Sequence, residues 1–309
     1  MQELVERLGR GEVVILDGAM GTELQRRGVP MDRVAWCGTA IATHPQVIRA
    51  VHKDYTRAGV DIIITNTFGA SRHVLEPAGL GERVGELNRT AVALARQACD
   101  EAEDGRPLYV AGSISSFLPE KAALETLPID VARDSYREQA ENLAATGADL
   151  IILEMMMDVE HTTVAIEAAV ETGLPVWVGF SCRPSVDGES IVFWQKGHDV
   201  EFAPAFEKAV TVGGVMAGVM HSEVETMLPA LFIVLAHWPG PVMAYAHSGH
   251  FVMPDWQFAD VISPEGYLAA AEQWVAMGTQ IIGCCCGIGP EHIRLLKKRL
   301  PKQIPQKIG

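Results

Sequence analysis

Short apolar runs rich in Val and Ile recur along the chain, separated by longer stretches in which apolar positions return with a helical period. The runs that predict strands are Val13–Asp17, Asp61–Asn66, Leu108–Ser113, Asp149–Glu154, Val176–Cys182, Val215–Met220, Val242–His247 and Gln280–Cys284. Their apolarity is continuous rather than alternating, as expected of parallel strands covered on both faces. Between them, Ile48–Ala58, Val84–Ala102, Ile129–Thr146 and Pro264–Met277 carry the spacing of amphipathic helices. Gly59, Gly147, Gly173 and Gly278 follow helical segments directly, where a left-handed cap turns the chain back toward the sheet. Eight such units in 309 residues fit a closed (β/α)8 TIM barrel better than a doubly wound sheet, although an open sheet also suits the pattern. No linker or like-charge block divides the sequence, so residues 1–309 read as a single α/β domain.

Composition narrows the partners. A net charge of −14 without a basic, aromatic-laced stripe argues against nucleic acid. No apolar run approaches the roughly 20 residues of a membrane span, and the N-terminus has no secretory signal pattern, which makes the cytoplasm the expected compartment. The cysteines stand at 37, 99, 182, 284, 285 and 286. In a chain of this size without a signal they do not read as a disulfide framework.

In a (β/α)8 barrel, chemistry gathers at the C-terminal strand ends. The unusual residues fall there: Asp17 after the first strand, Asn66 and Thr67 after the second, Glu154 after the fourth and Cys182 after the fifth. The sixth strand ends in His221, the seventh in His247 and Ser248, and the eighth in Cys284, Cys285 and Cys286. Buried free cysteines are commonly just small apolar residues, but three in a row at such an end, with Gly283 and Gly287 giving the backbone latitude, point to soft thiolate ligands for zinc. A catalytic zinc takes three protein ligands and keeps one position open. The third ligand must therefore come from another strand end, and His221, His247 and Cys182 are the candidates.

These residues resemble the homocysteine S-methyltransferase family. The resemblance rests on LDGAMGTEL at 16–24, HPQVIRAVHKDYTRAGVDIIITNTFGAS at 44–71, GADLIILE at 147–154, HSG at 247–249 and CCGIGPEHI at 285–293. It implies a TIM barrel whose zinc is held by Cys285 and Cys286 together with a ligand after the sixth strand. There the family has Asn-Cys and this chain has Met220-His221, so His221 takes the ligand position, with Cys182 or Cys284 as substitutes, or is a hydrogen-bonded histidine beside a lost or rearranged site. Two thiolates and one imidazole carry one negative charge fewer than three thiolates and leave the ion a stronger Lewis acid.

By the same resemblance Asp17 and Glu154 hold the ammonium of an amino-acid substrate; otherwise they are helix caps or arginine partners. Asn66, Thr67 and Ser248 are placed to bond its carboxylate or, equally, to stabilise turns. His247 and His250 stand where the family more often has a Pro-Asn loop and read as donor-pocket or plain loop residues. Trp194 and Trp256 read as faces for a cationic donor or as packing. The resemblance implies methyl transfer from a sulfonium or quaternary ammonium donor to a small thiol, homocysteine giving methionine. The chain has no room for the pterin and cobalamin modules of the large methionine synthase, and its tail is shorter than the dimerisation extension of the betaine enzyme, which favours an S-methylmethionine-type donor. A zinc hydrolase, and a metal- or thiol-binding barrel without methyl transfer, are the competing expectations. Oligomeric state is left open.

Overall fold

A computed structural model describes residues 1–102, 105–118, 127–194 and 199–305, so that only the last four residues of the tail lie outside it. Eight strands form one sheet: β1 (Val14–Ile15), β2 (Ile62–Ile64), β3 (Tyr109–Ser115), β4 (Leu150–Met156), β5 (Val176–Phe180), β6 (Met216–Glu223), β7 (Val242–His247) and β8 (Ile281–Ile282). All neighbouring pairs are parallel, in the order β1-β8-β7-β6-β5-β4-β3-β2. A parallel bridge between Leu16 and Ile62 joins the two ends. The open-sheet alternative therefore falls, and the α/β (β/α)8 barrel stands. Helices alternate with the strands, among them Pro45–Ala58, Val84–Asp100, Ile129–Ala145, Val159–Val170, Phe202–Val210, Val224–His237, Pro264–Met277 and Pro290–Arg299.

The four junction glycines all have positive φ, and Gly59 and Gly278 cap their helices in the left-handed conformation that costs a residue with a Cβ more than it costs glycine. Helix Gln2–Gly9, which the sequence reading did not anticipate, buries Leu4 and Leu8. Among the described residues no helix is long and apolar enough to cross a membrane.

The seam between β1 and β2 is held by a side chain as well as by backbone. Asp61 is almost fully buried; its Oδ2 accepts from the Ile15 amide at 2.9 Å and its Oδ1 from Arg7 Nη2 at 3.1 Å, with Lys297 Nζ 3.4 Å away. Removing this acceptor strands a buried amide and loosens two cations. Asp61→Ala is expected to lower unfolding free energy by about 2 to 3 kcal/mol in urea titrations. A loss below about 0.5 kcal/mol, the range of an ordinary surface change, would mean the seam does not depend on it.

Candidate metal centre

The C-terminal ends of the strands open into a cavity of about 810 Å³. Its deepest chemistry comes from three strand ends. β8 is short, but the chain after it keeps the ladder's hydrogen bonds: Gly283 N donates to Ala244 O, Cys284 N to Asp17 O and Cys285 N to Ala246 O, while Ser248 N donates to Cys286 O. The cysteine run is thus clamped between the ends of β7 and β1. It leaves through Gly287 at φ +82°, where a Cβ would stand 1.9 Å from Ser248 O, so glycine is required at that exit.

β6 ends in a bulge. Met220 pairs with Tyr245 and Glu223 with His247, so that His221 and Ser222 together face Ala246 alone. His221 takes φ +44°, a conformation that strains a residue with a side chain. Bulges at barrel rims re-aim side chains, and this one brings His221 Nδ1 within 3.3 Å of Cys285 Sγ. His221, Cys285 and Cys286 form the group whose ligand atoms all lie within 4.8 Å of one another. Cys182, fully buried and off the cavity wall, and Cys284, beside the Tyr267 hydroxyl, are not in it.

The three residues suit a metal ion on their own geometry. In a tetrahedral site with Zn–S about 2.3 Å and Zn–N about 2.0 Å, neighbouring ligand atoms stand roughly 3.5 to 3.8 Å apart, and the nitrogen and sulfur here are close to that spacing before any ion draws them in. Burial, reinforced by His247, holds the His221 imidazole well below its ordinary pKa, neutral and with a lone pair to offer. The Cys286 thiol is pushed up by its hydrogen bond with Cys285 and by burial, and a bound cation would favour its ionised form. Two soft sulfurs and one nitrogen favour zinc-type ions over hard cations, and three ligands on a cavity wall leave a position open for substrate.

His247 lies against His221 with ring centroids 4.6 Å apart. Trp194 and Trp256 flank the pair, at 5.8 and 6.0 Å from His221 and 5.4 and 5.5 Å from His247. Trp194 comes from the hairpin of Cys182–Pro184 and Ile191–Phe193, Trp256 from that of His250–Val252 and Asp255–Gln257. Trp36, Phe68, Phe117 and Phe251 continue the aromatic wall, with centroid separations of 5.4 to 6.3 Å. His250 also lines the cavity.

Two buried acids stand at the ends of β1 and β4, and of these Glu154 lines the cavity. Glu154 sits on the cavity wall inside a second bulge, where Glu154 and Met155 together face Gly179 alone. Burial raises its carboxyl to about 7 against the opposing pull of the hydrogen bond from Ser113 Oγ. Asp17 is pushed well above the carboxylate range by burial, with the Glu154 charge adding to it; its Oδ2 accepts from the Ile64 amide at 2.9 Å and its buried Oδ1 has no partner. Asn66 Nδ2 donates to Cys37 O at 3.1 Å, and its buried Oδ1 is likewise unpartnered.

Two of the residues named for a substrate carboxylate have other work. The Thr67 hydroxyl bonds Ser113 O and Thr65 Oγ1, both at 2.7 Å, and Ser248 Oγ accepts from the Ile262 amide at 2.8 Å. Neither lines the cavity. The sequence reading gave no role in the site to Cys37, Ser113, Tyr245 and Met155, or to Trp36, Phe68, Phe117 and Phe251 in the aromatic wall.

The family model described as homocysteine S-methyltransferase matches residues 14–300. A selenocysteine Se-methyltransferase of Brassica oleracea var. italica is 27% identical, the match covering 97% of this chain and 92% of that protein. Betaine–homocysteine S-methyltransferase 1 of Rattus norvegicus is 28% identical, covering 96% of this chain and 74% of its own. Among solved structures, the metallated form of the homocysteine methyltransferase MmuM from Escherichia coli shares the fold, with a TM-score of 0.77 at 24% identity over 96% of this chain and 99% of that one.

Proposed function

Since this chain belongs to the homocysteine S-methyltransferase family, we propose that it moves a methyl group from a sulfonium or quaternary ammonium donor, the S-methylmethionine type foremost, to homocysteine, yielding methionine. The observation that carries the reading is the meeting of His221, Cys285 and Cys286 on the wall of a cavity that Glu154 also lines, with the buried Asp17 near enough to feel its charge. Those three residues would hold zinc, and a zinc ion so held supplies a positive centre at which a thiol binds as its thiolate at neutral pH. Reduced thiols are what the cytoplasm maintains, which fits that compartment.

The chain's own residues do the rest. Asp17 Oδ1 and Glu154 receive the substrate ammonium; two buried carboxyls that resist ionisation side by side become a favourable pair once a cation lies between them. Asn66, on the cavity wall, offers its Oδ1 as a further acceptor. Thr67 and Ser248 hold the wall rather than the ligand. The aromatic surface excludes water and leaves the sulfur nucleophilic, and Trp194 and Trp256 present faces to a cationic methyl group. At about 810 Å³ the cavity takes both small substrates together. Transfer is then in line: a sulfur–carbon bond forms as the donor's bond from methyl to sulfur or nitrogen breaks, its electron pair staying on the leaving heteroatom. The thiol proton has already left on binding. No catalytic base is needed, and a hydrolase would require one along with a ligand set richer in nitrogen and oxygen.

The test is purified protein with its zinc measured, offered homocysteine, cysteine and selenocysteine as acceptors against S-methylmethionine, S-adenosylmethionine and betaine. One zinc per chain and methionine formation from homocysteine with a cationic donor is the expected result. Stoichiometric zinc with no thiol methylated by any donor would leave only the metal-binding barrel.

A further inference from the structure

The two bulges that aim the site are joined by one side chain. In β4 the bulge takes Met155 out of the ladder and into φ +54°. Its freed amide donates to Met220 Sδ at 3.0 Å, a buried bond between β4 and the last regular residue before the bulge of β6. The Ser116 hydroxyl takes up the Met155 carbonyl. Met220 is fixed in turn: its carbonyl accepts from Ser181 Oγ at 3.0 Å and Ser222 Oγ at 3.1 Å, and Ser222 Oγ also receives the Cys182 amide at 2.9 Å. Gly179 leaves the space the thioether fills; a Cβ there would come within 2.8 Å of Met220 Cγ and 3.0 Å of the Tyr245 hydroxyl. Met220 adjoins His221 in the chain and reaches Glu154 through the next residue, Met155.

We propose that Met220 is a positioning residue that ties the acid side of the site to the ligand side, its sulfur acting as the acceptor that keeps the Glu154 bulge and the His221 bulge in one arrangement. A weak sulfur acceptor suffices because the alternative is a buried amide with no partner, which costs more than the bond itself contributes. Plain packing would need only the volume of Met220, whereas this role needs its acceptor atom. The part of the proposal that concerns substrate rests on Glu154 receiving the ammonium; the part that concerns His221 does not.

Two readouts on the metal-loaded protein separate these parts: KM for homocysteine, and the visible absorption of the cobalt(II)-substituted protein, which reports the arrangement of the ligands. Met220→Leu keeps the bulk and removes the acceptor. It is expected to raise KM roughly tenfold, the size of one buried donor left unsatisfied, and to shift the cobalt bands while metal stoichiometry is retained. Met220→Gln returns an acceptor at similar length and should bring both readouts back toward the parent protein. Should Met220→Leu fail to fold, Gly179→Ala presses on the thioether from the other side and is expected to move both readouts in the same direction. Unchanged KM and unchanged cobalt bands in a folded Met220→Leu, whatever its melting temperature, would reduce Met220 to packing and overturn the proposal. Glu154→Gln is the control: a raised KM with unshifted bands is expected, and an unchanged KM would fail the ammonium reading alone, leaving the cobalt bands to decide Met220.

Discussion

Cys286→Ser is expected to cost the protein its stoichiometric zinc and at least roughly a hundredfold in methyl transfer, because a serine hydroxyl neither ionises at neutral pH nor matches the softness of a thiolate. His221→Ala should do nearly as much: its ring nitrogen is one of the three atoms of the cluster, and no other described nitrogen or sulfur completes a second such group. Cys182→Ser and Cys284→Ser, by contrast, should keep one zinc per chain. Cys182 is closed off from the cavity, and Cys284 sits beside Tyr267 outside the cluster. Metal analysis of the purified variants, followed by competition with a chelator of known affinity, measures the difference directly. Full occupancy in Cys286→Ser or in His221→Ala would remove that residue from the ligand set. His221→Cys is informative on the positive side: it restores a third thiolate, and should hold zinc while adding one negative charge to the site and weakening the ion as an acid toward the bound sulfur.

The barrel was legible because parallel strands covered on both sides must be continuously apolar, and the eight runs are. Their ends were less so. Through Leu153-Glu154-Met155-Met156-Met157 the apolar pattern runs on as though the strand were regular, and nothing in residue type marks the point where two residues come to face one. The same is true of Met220-His221-Ser222, which extends β6 past its expected end. His221 could be singled out as a candidate ligand by its place after the sixth strand, yet its contact with His247 belongs to the closed barrel, which brings two separate strand ends side by side.

Two buried carboxyls at strand ends carry a cost that ordinarily marks a function, whereas Thr67 and Ser248 had backbone groups within reach and took them, as short hydroxyl side chains commonly do. The first helix was hidden by its charges, since Leu4 and Leu8 are its only fully apolar anchors and stand one turn apart.

Glu154→Gln is expected to raise KM for homocysteine between about ten- and a hundredfold, the range for losing one charged partner of a buried hydrogen bond, with kcat less affected. The acid also gives the parent protein two pH dependences of opposite sense. An ammonium is held well only by the ionised carboxyl, so with Glu154 at about 7, KM should fall as pH rises from about 6 to 8. In the substrate-free protein the folded value lies above the ordinary 4.5, so the fold binds the extra proton; the stability that this contributes is complete below about 4.5 and is lost as pH rises through 7. The loss amounts to about 3 kcal/mol at most, and Asp17, raised by the same burial, adds to it with the same sign. Affinity for the acceptor should therefore improve over the interval in which the empty protein becomes easier to unfold. In Glu154→Gln the KM profile should flatten and the stability slope should shrink to what Asp17 alone leaves. A parent protein whose KM is level from pH 6 to 8 would show that the ammonium is held elsewhere, because a buried carboxyl poised near 7 cannot receive a cation without its own ionisation entering the binding equilibrium.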